Sequence, residues 1–119
     1  MKLIAVIGPF TAPTPEGIAA NVARAKQVRD AVLRLGASPY CSHTMVGDLW
    51  EIIPESIIVP SIMEGTRRCD AAILVDGWEH SPGTLREKAE LERLGKPVFR
   101  TIHALRSWLE TSGPSQETT

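Results

Sequence analysis

The chain reads as a single α/β domain: a doubly wound parallel sheet of four to five strands with helices on both faces. Three observations predict this. The runs Leu3 to Ile7 and Ala71 to Val75 are short and wholly apolar, the composition of strands buried on both sides. The segments between candidate strands are long enough for helical crossovers, giving a β-α-β-α-β-α-β-α order, which belongs to a covered parallel sheet. With 119 residues, 43% of them apolar, there is material for one domain with its own core.

Each element can be justified in turn. After the first strand, Gly8-Pro9 breaks regular structure, and Thr14-Pro15-Glu16 forms a helix entrance with a capping hydroxyl, a first-turn proline and an acid. Ile18, Val22, Ala25, Val28, Val32 and Leu35 then recur at steps of three and four, with Gly36 as the stop. Ala37 to Cys41 is a second strand, placed towards a sheet edge by Pro39. Residues 42–53 read as a loop. Pro54-Glu55 opens a helix to about Arg68, in which Pro60 should cause a kink or a restart. Ala71 to Val75 is the third strand and 76–80 a loop. Ser81-Pro82 repeats the entrance chemistry for a helix reaching Leu94, stopped by Gly95. Pro97 to Phe99 is a short strand and His103 to Glu110 a last helix. The domain therefore covers 1–111, and the small, polar stretch 112–119 is expected to be a disordered tail.

Charge and cysteine content narrow the function. Thirteen basic against fourteen acidic residues leave a net charge of −1, which argues against binding duplex nucleic acid. No apolar run approaches the roughly 20 residues of a membrane span, and the five-residue run at Leu3 to Ile7 is too short for a secretory signal core. Cys41 and Cys69 are too few for a disulfide scaffold and lack metal-ligand spacing. The expectation is a cytoplasmic domain with no metal, handling a small molecule.

Ligands of such folds bind beyond the carboxyl ends of the strands. Gly8 to Thr14, Cys41 to Asp48 and Asp76 to Gly83 should therefore meet at one crevice. Gly8 permits close backbone approach, and Phe10 can stack on a base or sugar. If Ser81 caps its helix, the free amides of the first turn favour an anion. Gly83 leaves room above Glu87, one turn on. Glu87 lies on a row continuing through Leu91 and Leu94, where a carboxylate is costly unless paired or used. Leu85 and Ala89 define a competing stripe that would put Glu87 on the surface, and both readings stand. His43 is either a crevice residue or a solvated loop histidine. Asp76, at the carboxyl end of its strand, joins the candidates; Asp70 starts that strand from the opposite edge. Trp78 is a lid or subunit contact, while Trp50 and Trp108 pack. Arg67-Arg68 reads as a solvated helix end complementing the dipole.

Several motifs together carry a resemblance. They are Gly8-Pro9-Phe10-Thr11, Asn21-Val22, Pro39 to Thr44, Arg68 to Val75, Gly77-Trp78-Glu79, Ser81-x-Gly83-Thr84-x-x-Glu87 and Leu94-Gly95-Lys96-Pro97-Val98. Over about residues 2–110 the chain resembles the nucleoside 2-deoxyribosyltransferase-like superfamily, especially its small bacterial and phage members of unassigned function. The resemblance implies a flavodoxin/Rossmann-like fold, no cofactor, and cleavage of the N-glycosidic bond of a nucleoside or nucleoside 5′-monophosphate. Glu87 matches the glutamate that attacks the anomeric carbon. Ser81 matches the phosphate-binding serine of the deoxynucleoside 5′-monophosphate N-glycosidases. Sites in this superfamily assemble at subunit interfaces, which implies a homodimer or larger. The chain departs from the pattern at Ile62, where those enzymes carry an aspartate that manages the leaving-base proton. Phe10 is the nearest aromatic to an assisting tyrosine of the first loop. His43 or Asp76 would have to take over the proton. Otherwise the fold is a non-catalytic nucleotide-binding module or sensor, or a structural relative with a vestigial crevice.

Overall fold

The computed structural model describes residues 1–111; the tail 112–119, expected to be disordered, lies outside the described residues. The elements are β1 (Leu3–Ile7), α1 (Pro15–Arg34), β2 (Ser38–Tyr40), α2 (Ser42–Met45), α3 (Glu55–Arg68), β3 (Ala71–Leu74), α4 (Pro82–Arg93), β4 (Val98–Phe99) and α5 (Ile102–Thr111), with short 3₁₀ turns at Gly47–Leu49 and Trp78–His80. Four strands form one sheet in the order β2-β1-β3-β4, all parallel. This is the doubly wound arrangement expected, with the lower of the two strand counts.

The period-two alternation of the strands explains why there are two cores. Ile4 and Val6 of β1, with Ala71, Ile73 and Val75 of the β3 segment, pack against Ala25, Val32 and Leu105 of α1 and α5. The intervening Ala5, Ile7, Ala72 and Leu74 turn the other way and pack with Cys69 and with Leu91 of α4. Both faces of β1 and β3 are buried, so these strands have no polar side to show in the sequence. Pro39 sits on the edge strand, as expected. The Ser38 amide donates to the Lys2 carbonyl, so by alternation the next nitrogen, that of Pro39, faces away from the ladder and loses nothing.

Three expectations need correction. Residues 42–53 are not an open loop: α2 and the 3₁₀ turn at Gly47–Leu49 occupy much of the segment. Of the kink or restart expected at Pro60, the restart is not found: the third helix runs as one element from Glu55 to Arg68 with Pro60 inside it. Arg67 is not simply solvated: its Nε lies 2.6 Å from Glu90 Oε2 and ties α3 to α4, Arg93 joins the same carboxylate, and Lys96 donates to the Arg67 carbonyl. These two guanidinium contacts hold the Glu90 carboxyl down to about 2. Asp70 anchors the amino edge by accepting the Leu3 amide at 2.7 Å. Trp78, expected as a lid or subunit contact, is half-buried and packs on the α4-side core beneath the cations of Lys88 and Arg100. Among the described residues no helix is long and apolar enough to cross a membrane.

Candidate functional site

The strand order reverses direction about β1, and in such sheets the crevice opens beyond the carboxyl ends of the two strands where the order reverses. A cavity of about 270 Å³ lies there, close to the lower end of the size range of small-ligand pockets. The three expected segments do meet in it. Gly8 and Phe10 come from the end of β1, His43 from α2, and Ser81, Gly83 and Glu87 from α4. The remaining wall was not foreseen: Glu55, Val59, Ile62 and Met63 line it from α3, and Trp50 from the segment before it. Their spacing, 55, 59, 62 and 63, is one face of a helix.

Thr66 continues that face and is fully buried. Its hydroxyl donates to Glu87 Oε2 at 3.1 Å and is the one hydrogen-bond donor to Glu87 among the described residues. Thr66 is the twelfth residue of α3, whereas Glu87 is the sixth of α4. At 1.5 Å per residue, α3 reaches about 9 Å farther beyond this contact than α4 does. The early turns of α3 therefore stand as a wall above the carboxylate, with Ile62 one turn above Thr66. Burial pushes the Glu87 carboxyl up to about 7, offset in part by the Thr66 hydrogen bond and the nearby Arg86 charge. The surface reading of Glu87 is thus set aside: the competing residues Leu85 and Ala89 are the exposed ones.

Ser81 caps α4 as its sequence predicts. Its Oγ accepts from the Thr84 amide at 3.3 Å and the Thr84 hydroxyl at 2.9 Å, leaving the Ser81 proton available to donate. The Gly83 amide has no acceptor among the described residues. A Cβ placed on Gly83 would meet only the Arg86 guanidinium, at 3.8 Å. A first-turn amide, a hydroxyl and a guanidinium on one side of the cavity suit an anionic group.

Phe10 stacks on Trp50 at 5.5 Å between ring centroids and meets the His43 ring edge-on at 5.8 Å. Asn21, buried in α1, donates to the Phe10 and Thr11 carbonyls and so pins this loop; it occupies a place where helical periodicity alone would put an apolar residue. Trp50 therefore does pack, but in the wall of the site. His43 is buried rather than solvated, 5% exposed. Its Nε2 lies 3.0 Å from the Pro9 carbonyl, which assigns the proton to that nitrogen, while Nδ1 is buried without a partner among the described residues. Burial pulls its imidazole below the usual range, so the ring is neutral near pH 7 and its N–H is committed to the loop.

Two expected site residues need restating. Gly8 lines the cavity, but its missing side chain serves strand packing: a Cβ there would stand 2.5 Å from Val75 Cβ. Asp76 does not join the others. The chain leaves β3 through the left-handed Gly77 (φ 91°), and Asp76 lines a separate cavity of about 150 Å³ with Arg24, Gln27 and Arg100 on the α1 side. Among the described residues no group of three or more His, Cys, Asp and Glu side chains is gathered to hold a metal ion. No protein-family model matches the chain, and no curated protein matches it.

Proposed function

We propose that this domain cleaves, by hydrolysis or transfer, the N-glycosidic bond of a nucleoside or nucleoside 5′-monophosphate, with Glu87 as nucleophile. The observation that carries the reading is the Glu87 carboxyl itself. It is half-buried in the cavity where the segments following β1, β2 and β3 meet, held through one oxygen by Thr66, and poised to ionise near neutral pH. A desolvated carboxylate is the usual nucleophile against an oxocarbenium-like centre. Ser81, the Gly83 amide and Arg86 would take a 5′-phosphate, and the Phe10–Trp50 pair would flank the base. Attack of Glu87 on C1′ releases the base and leaves a glycosyl-enzyme, which water or an acceptor base then resolves.

A chromatographic screen of nucleosides and 5′-monophosphates for free base tests this, with wild type beside Glu87→Gln. Base release that Glu87→Gln abolishes is expected; saturable binding with no release from any substrate would favour a nucleotide-binding module. Exposed Met45, Ile52 and Ile57 along the α2–α3 segment support a homodimer or larger, which light scattering at micromolar concentration would check.

A further inference from the structure

Resting on the glycosidase reading, we propose that the preferred substrates are N-glycosides whose base already carries a positive charge on a quaternised ring nitrogen, of the N-glycosyl-pyridinium or N7-alkylated purine kind. Three observations carry this. The cavity wall that stands over Glu87 is apolar where a leaving base would depart: Ile62 sits one turn above Thr66, flanked by Val59 and Met63. None of the lining groups among the described residues is placed and free to protonate the leaving base. His43 has its one N–H on the Pro9 carbonyl, and Arg86 and the hydroxyls hold their protons too tightly. Glu55 is eleven residues up α3 from Thr66, about 16 Å along the axis, at the far end of the wall from the C1′–N bond that Glu87 attacks. Meanwhile the charge and the rings invite a cation. Two of the three charged lining side chains, Glu55 and Glu87, are acidic, and the stacked Phe10 and Trp50 rings offer faces of negative potential.

The chemistry balances without a proton donor. A Glu87 carboxylate oxygen bonds to C1′ as the C1′–N bond breaks. The electron pair moves onto the cationic nitrogen, and the base leaves neutral. Water then attacks C1′, the bond to Glu87 breaks, the carboxylate is regenerated and the water's proton passes to solvent. A neutral base would have to leave as an anion, losing the roughly 10²–10⁴-fold that general acid catalysis supplies.

The test compares nicotinamide mononucleotide and N7-methylguanosine 5′-monophosphate with guanosine and cytidine 5′-monophosphates, scoring released base above the uncatalysed background. The expected result is a kcat/KM for at least one charged-base substrate about 100-fold or more above both neutral ones; the two charged probes separate the pyridinium source from the alkylated purine. For that substrate kcat/KM should rise through about pH 7 to a plateau, and Ile62→Asp, which adds an acid on the wall, should narrow the charged-to-neutral ratio. Equal or faster release of the neutral bases, or a bell-shaped profile with the charged ones, overturns this inference while leaving the glycosidase reading standing. Release from none of the four, nor from their deoxy counterparts, overturns both.

Discussion

Helices α1 and α4 begin with the same chemistry and end up with different tasks. Thr14-Pro15 and Ser81-Pro82 each place a capping hydroxyl before a first-turn proline, and each hydroxyl accepts an amide three residues on, Gly17 at 3.0 Å and Thr84 at 3.3 Å. The difference lies in what stands over the first turn. At Gly17 a Cβ would fall 2.7 Å from Ala12 Cβ, so the loop from β1 closes back on its own helix. At Gly83 the corresponding space holds nothing nearer than the Arg86 guanidinium. One entrance is sealed by its own chain, and the other opens onto the cavity with a carboxyl one turn below. A cap motif therefore tells where a helix starts; the surrounding loops decide whether its amides meet a ligand.

The largest difference between the two entrances should appear in the pH dependence of stability. Glu87 has a folded-state value of about 7 against an ordinary 4.5, so the folded state holds its proton more tightly than the unfolded chain does. Wild type then loses stability as pH rises from about 4.5 through 7, and Glu87→Gln does not. Chemical denaturation should find the two alike near pH 4 and the variant more stable by about 3 kcal/mol at pH 9.

Alanine at the two glycines sharpens the contrast. Gly17→Ala should cost about 1–3 kcal/mol through overpacking against Ala12. Gly83→Ala should leave stability level or raise it by up to about 1 kcal/mol, while weakening ligand binding in a calorimetric titration. The smallest effects belong to the caps. Thr14→Ala and Ser81→Ala should each cost about 1 kcal/mol, but only Ser81→Ala should weaken monophosphate binding more than nucleoside binding. Equal losses for both ligands would reduce Ser81 to a cap like Thr14.

Much of the fold was legible because its signals are local. The β1 and β3 runs, the two Thr/Ser-Pro entrances and the edge-strand proline each act within a few residues, and each was found where expected. The site was legible in its α4 part, where Ser81, Gly83 and Glu87 share one helical turn and the next, and in Gly8, Phe10 and His43 at the strand ends. Its α3 half depends on contacts between distant residues. Thr66 reads as a polar residue near a helix end until Glu87, 21 positions on, is placed against it. Trp50 reads as packing until Phe10, 40 positions earlier, is seen to stack on it. Residues 42–53 hid their short helix because α2 has no side-chain cap. Asp76 misled because a strand end fixes the edge of the sheet but not the face to which the next residue turns: Asp76 lies on the α1 side, while the chain after Gly77 runs on to the α4 side.

The central claim is that Glu87 attacks the anomeric carbon. The most direct measurement is peptide mass spectrometry after incubation with a 2′-deoxy-2′-fluoroarabinosyl nucleotide, whose fluorine slows breakdown of a glycosyl-enzyme. The account predicts a single sugar adduct on the peptide carrying Glu87, absent from Glu87→Gln, which should fold as wild type and release no base. An adduct on another residue, or base release that survives Glu87→Gln, would contradict it.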